Sequence, residues 1–338
     1  MCMSKNNLFT RFLVTYRPGT PFILQIITNF VHSKKGCVPF DSQMTEKNNI
    51  NKTADADAPR VMRVDVDAVL RQKLGQHYRW YMRPAAAAVK RIICQDKLNG
   101  ILERHGHLSG ADFCEASLAD LDISVDVQGL ENLPDPANRR VIFACNHPLG
   151  GPDGLALIKF MRDYYGGDVY VVVNDILMAV EPLRNVFLPV NKHGGQQHDG
   201  VRQFDAVLAS DNPVLFFPAG LVSRRRGGVI ADLPWKKTFI SKAIATQRDV
   251  IPLFFSGRDS LTFYRFARLR ERLGIRFNIE MILLPRQLFR LRGKCLTISC
   301  GKPVPWQELQ KHKSVADAVA DIRRRVYEMA PKSKKIPR

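Results

Sequence analysis

Residues 141–154 read VIFACNHPLGGPDG and place a histidine and a carboxylate on one glycine-containing turn. The apolar run at 141–145 predicts a buried strand, and the run at 155–158 predicts the start of a helix. A base at the end of a strand, with an acid at the start of the next helix, is a common catalytic layout in α/β folds. His147 could take a proton from a hydroxyl or an amine while Asp153 fixes its tautomer. A solvated histidine beside a helix-capping aspartate fits these residues equally well.

Beyond this turn the apolar pattern alternates between strand and helix periods. We predict strands at 169–173, 186–190, 214–217, 250–255 and 295–300, and helices at 155–164, 201–209, 237–246 and 315–327. Such alternation predicts an α/β fold with a largely parallel central sheet that is flanked by helices on both faces. The carboxyl ends of the strands then bring His147, Asn191 and Gly220 to one crevice.

Three further segments follow the turn: VFLPVN at 186–191, FFPAGLVSR at 216–224 and VIPL at 250–253. In this order they resemble the motifs of the glycerolipid acyltransferases, the lysophosphatidic acid acyltransferase-like proteins with an H-x4-D motif. The resemblance covers roughly residues 120–305. It implies a glycerol-3-phosphate acyltransferase-like fold, no bound cofactor or metal, and an acyl carrier protein (acyl-ACP) or coenzyme A (acyl-CoA) thioester as co-substrate.

Departures from the family pattern bear on the acceptor. Five residues rather than four separate His147 from Asp153, an extra length that a glycine pair can absorb. Ala219 stands where the family has Glu, and Asn191 and Lys192 stand where it has Asp and Arg. The pattern is similar to a hemolysin-like bacterial branch that includes the O-acyltransferases of ornithine and glycine lipid synthesis. It implies an amino-acid lysolipid acceptor such as lyso-glycine or lyso-ornithine lipid.

The predicted site therefore has two catalytic residues, His147 as general base and Asp153 as its partner. Backbone N–H groups near Gly150 and Gly151, or near Gly220, are candidates to stabilise the oxyanion. The residues predicted to bind substrate are Gly150, Gly151, Asn191, Lys192, Ala219, Gly220, Ser223 and Arg224. Cys145 is not expected to be a nucleophile, because no oxyanion-elbow sequence surrounds it. The alternatives are a lysophosphatidic acid acyltransferase, an amino-acid N-acyltransferase and, more distantly, a non-enzymatic basic binding module.

The net charge of the chain indicates what kind of molecule it binds. The 338-residue chain has 51 Lys and Arg against 32 Asp and Glu, a formal net charge of +19 that favours a polyanionic partner. A basic amphipathic helix is predicted at 260–273, followed by a buried apolar run at 279–285. No nucleic-acid-binding motif surrounds this region, so we expect no nucleic-acid partner. The partners expected are an acyl carrier protein, an anionic membrane surface and the lysolipid acceptor.

The chain divides into three predicted parts. Residues 1–60 are expected to be an extension or disordered linker with a possible misassigned start, 61–120 a helical lead-in and 121–330 the acyltransferase domain. Aromatic and basic residues near Trp80 suit either a helix on a bilayer surface or one packed on the core. No transmembrane helix or signal peptide is predicted, and the expected location is peripheral, on the cytoplasmic face of the inner membrane.

Overall fold

The computed structural model describes residues 63–75, 79–190, 197–275 and 278–331. The predicted extension at 1–60 and the site residues Asn191 and Lys192 lie outside the described residues. The α-helices are α1 Val66–Leu74, α2 Arg83–Ile93, α3 Gln95–His105, α4 Gly110–Asp120, α5 Gly151–Tyr165, α6 Gln197–Ala209, α7 Thr238–Ala245, α8 Leu261–Arg272, α9 Leu284–Arg290, α10 Trp306–Gln310 and α11 Val315–Glu328. The strands are β1 Ser124–Gln128, β2 Val141–Cys145, β3 Tyr170–Asn174, β4 Phe187–Val190, β5 Val214–Phe216, β6 Arg224–Arg226, β7 Val229–Ala231, β8 Asp249–Phe255 and β9 Cys295–Cys300.

Seven strands form one sheet in the order β1-β9-β8-β2-β5-β3-β4. The five strands from β8 to β4 run parallel, β9 pairs antiparallel with β8, and β1 runs parallel to β9. The α/β fold with a largely parallel, helix-flanked sheet is therefore confirmed. The carboxyl ends of β2, β5 and β8 share one edge, which we call the catalytic edge.

Strand β2 is the centre of the core, and all five of its residues are at most 1% exposed. Val141, Phe143 and Cys145 pack into one apolar layer, and Ile142 and Ala144 into the other. Alternate residues of a strand face opposite sides of the sheet, so each layer receives one set. An apolar run without polar alternation is what a strand covered on both faces requires.

The described residues before β1 are largely helical, as the sequence predicts, and contain α1 to α4. Val66, Leu70, Met82, Ala86 and Ile93 form a small separate cluster, whereas α4 packs on α5 of the sheet domain. The domain boundary at residue 120 stays a prediction. Within the described residues, no helix is both long enough and apolar enough to cross a membrane.

Three details differ from the predictions. Strand β1 and the β6–β7 hairpin were not predicted, because they are short or strongly charged. Helix α5 begins at Gly151, four residues before the predicted start, with Pro152 in its first turn, where proline is favoured. The predicted buried run at 279–285 is wrong. Its first part is the 3-10 helix Ile279–Leu283, whose apolar side chains are only half-buried while Glu280 is fully buried.

Candidate active site

The structure brings His147 and Asp153 together at the catalytic edge, immediately after β2. Nδ1 of His147 lies 3.0 Å from Oδ2 of Asp153, whose side chain is fully buried, whereas the His147 side chain is 18% exposed. Nδ1 thus faces the carboxylate at hydrogen-bond distance, although its N–H is not aligned with Oδ2. Because Nδ1 faces the carboxylate, Nε2 is the nitrogen that can accept a proton from a substrate.

Asp153 is held by the turn that precedes it. Its Oδ2 accepts hydrogen bonds from the backbone N–H groups of Leu149 at 2.9 Å and Gly150 at 3.1 Å. Burial raises the pKa of Asp153 above its ordinary value, while contact with His147 and the two N–H groups opposes that rise. The carboxylate therefore gains stabilisation when the imidazole becomes positively charged, which suits a partner of a general base.

Gly150 makes the sharp turn between His147 and Asp153. Its φ of +84° is a conformation that residues with a side chain rarely adopt. A Cβ at this position would also lie 3.1 Å from Leu284 Cδ1 and 3.3 Å from Val222 Cγ2. The chain turns sharply here, so that Gly151 begins α5 and Asp153 points back towards His147.

Two segments distant in sequence fix the position of His147. Its ring stacks on Phe217, with the centroids 4.0 Å apart and an angle of 30° between the ring planes. Its carbonyl accepts a hydrogen bond from the N–H of Ser223 at 2.8 Å, and its own N–H donates to Oδ1 of Asp232 at 3.2 Å. Next to it, the Asn146 side chain bonds both backbone groups of Phe255 and so ties β2 to β8.

Asp232 accepts the hydrogen bonds that join the segments around His147 and Ser223. The sequence motifs did not identify this residue. Its Oδ1 also accepts from the Ser223 hydroxyl at 2.5 Å, and its Oδ2 accepts from Nε1 of Trp235 at 2.9 Å. Its backbone N–H donates to the Tyr327 hydroxyl at 2.8 Å. Asp232 is 7% exposed, so this acceptor set is largely shielded from water. Only its proximity to the motif at 216–224 could have pointed to it in the sequence.

The predicted acceptor residues Ala219 and Gly220 lie in the turn after β5. Ala219 is 5% exposed and contributes a small apolar surface. The N–H of Gly220 donates to the Phe217 carbonyl at 2.9 Å, and the N–H of Gly150 is used by Asp153. In contrast, the N–H of Gly151 at the start of α5 has no acceptor among the described residues. Of the predicted oxyanion donors, Gly151 is therefore the one whose N–H is not already used by another group of the described residues.

Arg224 is buried in an ion-pair network instead of pointing into water. Its side chain is 4% exposed and donates to Oε1 of Glu280 at 2.7 Å, and Arg270 Nε lies 2.8 Å from Oε2 of the same carboxylate. A further nitrogen of Arg224 donates to the Val222 carbonyl at 2.6 Å. Burial lowers the pKa of Arg224, and Glu280 opposes this effect. Glu280 was missed by sequence reasoning because it lies in an apolar run.

Two other buried ionisable groups lie close to His147 and Asp153, the pair that we call the dyad. Both carboxylate oxygens of Asp259 lack a hydrogen-bond partner among the described residues. Burial raises the pKa of this carboxyl to about 8, and the charge of Asp153 acts in the same direction. Burial also raises the pKa of the Cys145 thiol well above its ordinary value. A thiol that resists ionisation is a poor nucleophile.

Comparison with known proteins places this site in a family. The profile described as Acyltransferase matches residues 66–333. The chain belongs to the acyltransferase family. It is 42% identical over 284 residues to the lyso-glycine lipid O-acyltransferase of Phocaeicola vulgatus, covering 84% of this chain and all of the relative. It is also 42% identical over 266 residues to the lyso-glycine lipid O-acyltransferase of Bacteroides thetaiotaomicron, covering 79% and 97%.

A solved structure is also similar, the 1-acyl-sn-glycerophosphate (LPA) acyltransferase PlsC from Thermotoga maritima. It has 17% identity and a TM-score of 0.38, and the match covers 73% of this chain and 93% of that one. The profile match and the two relatives show that the protein is an enzyme that acts as an acyltransferase, and the predicted family is confirmed. Across the described part of the chain, no group of three His, Cys, Asp or Glu side chains is placed to hold a metal ion.

Proposed function

We propose that this acyltransferase moves a fatty acyl chain from an acyl carrier protein or coenzyme A thioester to the hydroxyl of a lysolipid. The observation that carries the proposal is the pairing of His147 with the buried Asp153 beside an unpaired N–H at Gly151. The two relatives named lyso-glycine lipid O-acyltransferase support a lyso-glycine lipid as the acceptor. A lyso-ornithine lipid presents the same amino-acid and hydroxyl chemistry.

In this reaction Nε2 of His147 removes the proton of the acceptor hydroxyl as the oxygen attacks the thioester carbonyl carbon. The negative charge moves to the carbonyl oxygen, which the N–H of Gly151 can stabilise. Asp153 stabilises the imidazolium that forms. When the carbonyl reforms, the carbon–sulfur bond breaks, and the proton on His147 passes to the leaving thiolate. The products are an ester and a free thiol, without a covalent acyl-enzyme.

The acceptor is proposed to lie over the turn at Ala219 and Gly220. A small apolar side chain at 219 removes the carboxylate that related enzymes place there, so the acceptor headgroup meets less negative charge. Ser223 and Arg224 are engaged by Asp232 and Glu280. We therefore propose that they hold the turn in place rather than contact the acceptor by themselves. Asn191 and Lys192 remain proposed headgroup contacts, on the basis of their motif positions alone.

The test is an acceptor and donor panel with purified protein. Acyl carrier protein and coenzyme A thioesters are each offered with lyso-glycine lipid, lyso-ornithine lipid, lysophosphatidic acid and a free amino acid. We expect ester formation on an amino-acid lysolipid, abolished in a folded His147→Ala variant. A preference for lysophosphatidic acid would contradict the acceptor, amide formation on the free amino acid would contradict O-acylation, and full activity of His147→Ala would contradict the mechanism.

A further inference from the structure

Helix α8 leaves the catalytic edge with apolar and basic side chains on the same exposed face. Its inner face buries Phe263, Tyr264 and Ala267. On the outer face, leucines that are half or more exposed recur every four or eight residues: Leu261 at 54%, Leu269 at 50% and, at the end of the helix, Leu273 at 64%. Arginines occupy the positions between them, namely Arg265, Arg268 and Arg272. Residues at these spacings share one side of a helix.

The three arginines on this face have no acidic partner within ion-pair distance among the described residues. Glu271, which is the acidic residue nearest in sequence, is directed to Arg226 at 3.6 Å and Arg270 at 3.5 Å. The outer face therefore carries a positive charge that neighbouring side chains do not neutralise. The outer face thus combines this charge with three exposed leucines, which is the combination that an amphipathic helix lying in a membrane interface presents.

The β6–β7 hairpin extends this surface. Arg226 of the hairpin approaches Glu271 of α8, and Val229 at the hairpin turn is 66% exposed. The hairpin directly follows Ser223, which bonds His147, and α8 starts shortly after β8, whose end is tied to Asn146. We call the outer face of α8 and the hairpin turn the docking face. It adjoins the edge of the sheet that carries the dyad.

We propose that the docking face lies on an anionic lipid bilayer, with the leucines and Val229 at the boundary of headgroups and acyl chains. Arginines on such a helix keep their charge at the lipid phosphates while their methylene groups lie along apolar surface. The proposal rests on the proposed function, because a lysolipid acceptor resides in a membrane and the dyad must reach it. An acidic carrier protein would satisfy the arginines, but three leucines spread along the whole helix fit the plane of a bilayer better.

The test measures partition of the full-length protein into vesicles of phosphatidylglycerol with phosphatidylcholine, and of phosphatidylcholine alone, at low and high salt. Replacing the three arginines with Gln should weaken binding to anionic vesicles roughly 10²-fold at low salt and remove most of its salt dependence, since each basic residue contributes about fivefold. Replacing the three leucines with Gln should weaken binding to both vesicle types at every salt concentration. The arginine variant replaces Arg265, Arg268 and Arg272 together with Gln. The leucine variant replaces Leu261, Leu269 and Leu273 together with Gln.

Matched controls lie at the opposite edge of the sheet. Leu130 follows β1, which runs antiparallel to β2, and is 43% exposed. Lys302 follows the end of β9, which runs antiparallel to β8. Lys311 and Lys313 follow α10, and the backbone N–H of Trp306 at the start of α10 donates to the side chain of Asp249, the first residue of β8. Leu130→Gln and a triple Lys→Gln variant at these three lysines should bind vesicles like the wild type.

Two outcomes would overturn the proposal. Unchanged vesicle binding by both triple variants would show that the docking face is an ordinary solvated surface. Loss of binding to an acyl carrier protein, with vesicle binding retained, would assign the arginines to that protein instead. Turnover of a water-soluble short-chain thioester and alcohol, without vesicles, is measured in parallel and should be unchanged. If the wild type lacks this turnover while vesicle binding behaves as expected, the proposed function fails but the docking face does not.

Discussion

Replacing Asp232 with Asn tests how His147, the proposed general base, is held. The carboxylate accepts three hydrogen bonds, from the His147 N–H, the Ser223 hydroxyl and Nε1 of Trp235. An amide offers one oxygen, and its NH2 group cannot accept. If the amide oxygen replaces Oδ1, the Trp235 indole N–H loses its acceptor. If it replaces Oδ2, the His147 N–H and the Ser223 hydroxyl lose theirs. An orphaned buried donor costs about 1–3 kcal/mol, so we expect the free energy of unfolding to fall by at least that amount.

The effect on catalysis follows from the bond to His147. When the amide oxygen replaces Oδ2, the His147 N–H loses its acceptor, and the bond from Ser223 and the stacking on Phe217 remain to position the backbone and ring. A displacement of about 1 Å in a catalytic group can lower turnover roughly 10²-fold. We therefore expect Asp232→Asn to lower kcat by up to that factor, with a smaller change in KM. Denaturant unfolding and steady-state kinetics on the same preparation measure both quantities.

Two comparison variants separate positioning from general destabilisation. Trp235→Phe removes the donor to Oδ2 and should lower stability while leaving kcat near the wild-type value. Asp211→Asn changes a carboxylate that is 80% exposed and should alter neither quantity. If Asp232→Asn and Trp235→Phe lose equal stability and both retain wild-type kcat, Asp232 only stabilises its loop, and the positioning argument is refuted.

The other predictions concern the dyad and the buried charges. His147→Ala should lower kcat by roughly 10²–10⁴-fold without unfolding the protein, as measured by kinetics and circular dichroism. Asp153→Asn should lower kcat by a similar factor, because the imidazolium loses its counter-charge; wild-type turnover would contradict this role. Glu280→Gln leaves the buried Arg224 without its carboxylate and should lower the free energy of unfolding by about 3–5 kcal/mol in denaturant titrations. Because burial raises the pKa of Asp259 to about 8, the folded protein keeps this proton where the unfolded chain loses it, and wild-type stability should fall as pH rises from about 4 through 8. Asp259→Asn should reduce this fall in melting curves. Identical pH profiles of variant and wild type would contradict the prediction.

The sequence predicted those features that depend on local pattern. The uninterrupted apolar run of β2 required cover on both sides, and the structure places its alternate residues in two separate layers. The turn chemistry of residues 146–154 was also readable, because glycine at 150 allows the positive φ that the extra residue demands. Chain periodicity likewise located α8 to within one residue at each end.

Features that depend on long-range contact could not be read in this way. Glu280 lies within an apolar run, and its burial is explained only by the two guanidinium groups that fold onto it from β6 and α8. Arg224 resembles a ligand-binding arginine by motif position, but Glu280 and a backbone carbonyl take up its donors. No local pattern distinguishes an arginine that faces a substrate from one that faces a carboxylate 56 residues away.

The H-x5-D motif contains only half of the contacts that fix the proposed catalytic pair, in which His147 is the base and Asp153 the acid. The acid is secured locally, because Asp153 receives N–H groups from the turn within its own motif. The base is secured by Asp232 and Ser223, which follow it by 85 and 76 residues. An insertion between His147 and Asp153 can therefore be absorbed at Gly150 without moving the base, since the anchors of His147 do not pass through the turn. The longer spacing is thus compatible with the pairing of His147 and Asp153, provided that the segment from Ser223 to Asp232 keeps its hydrogen bonds to His147 at the end of β2.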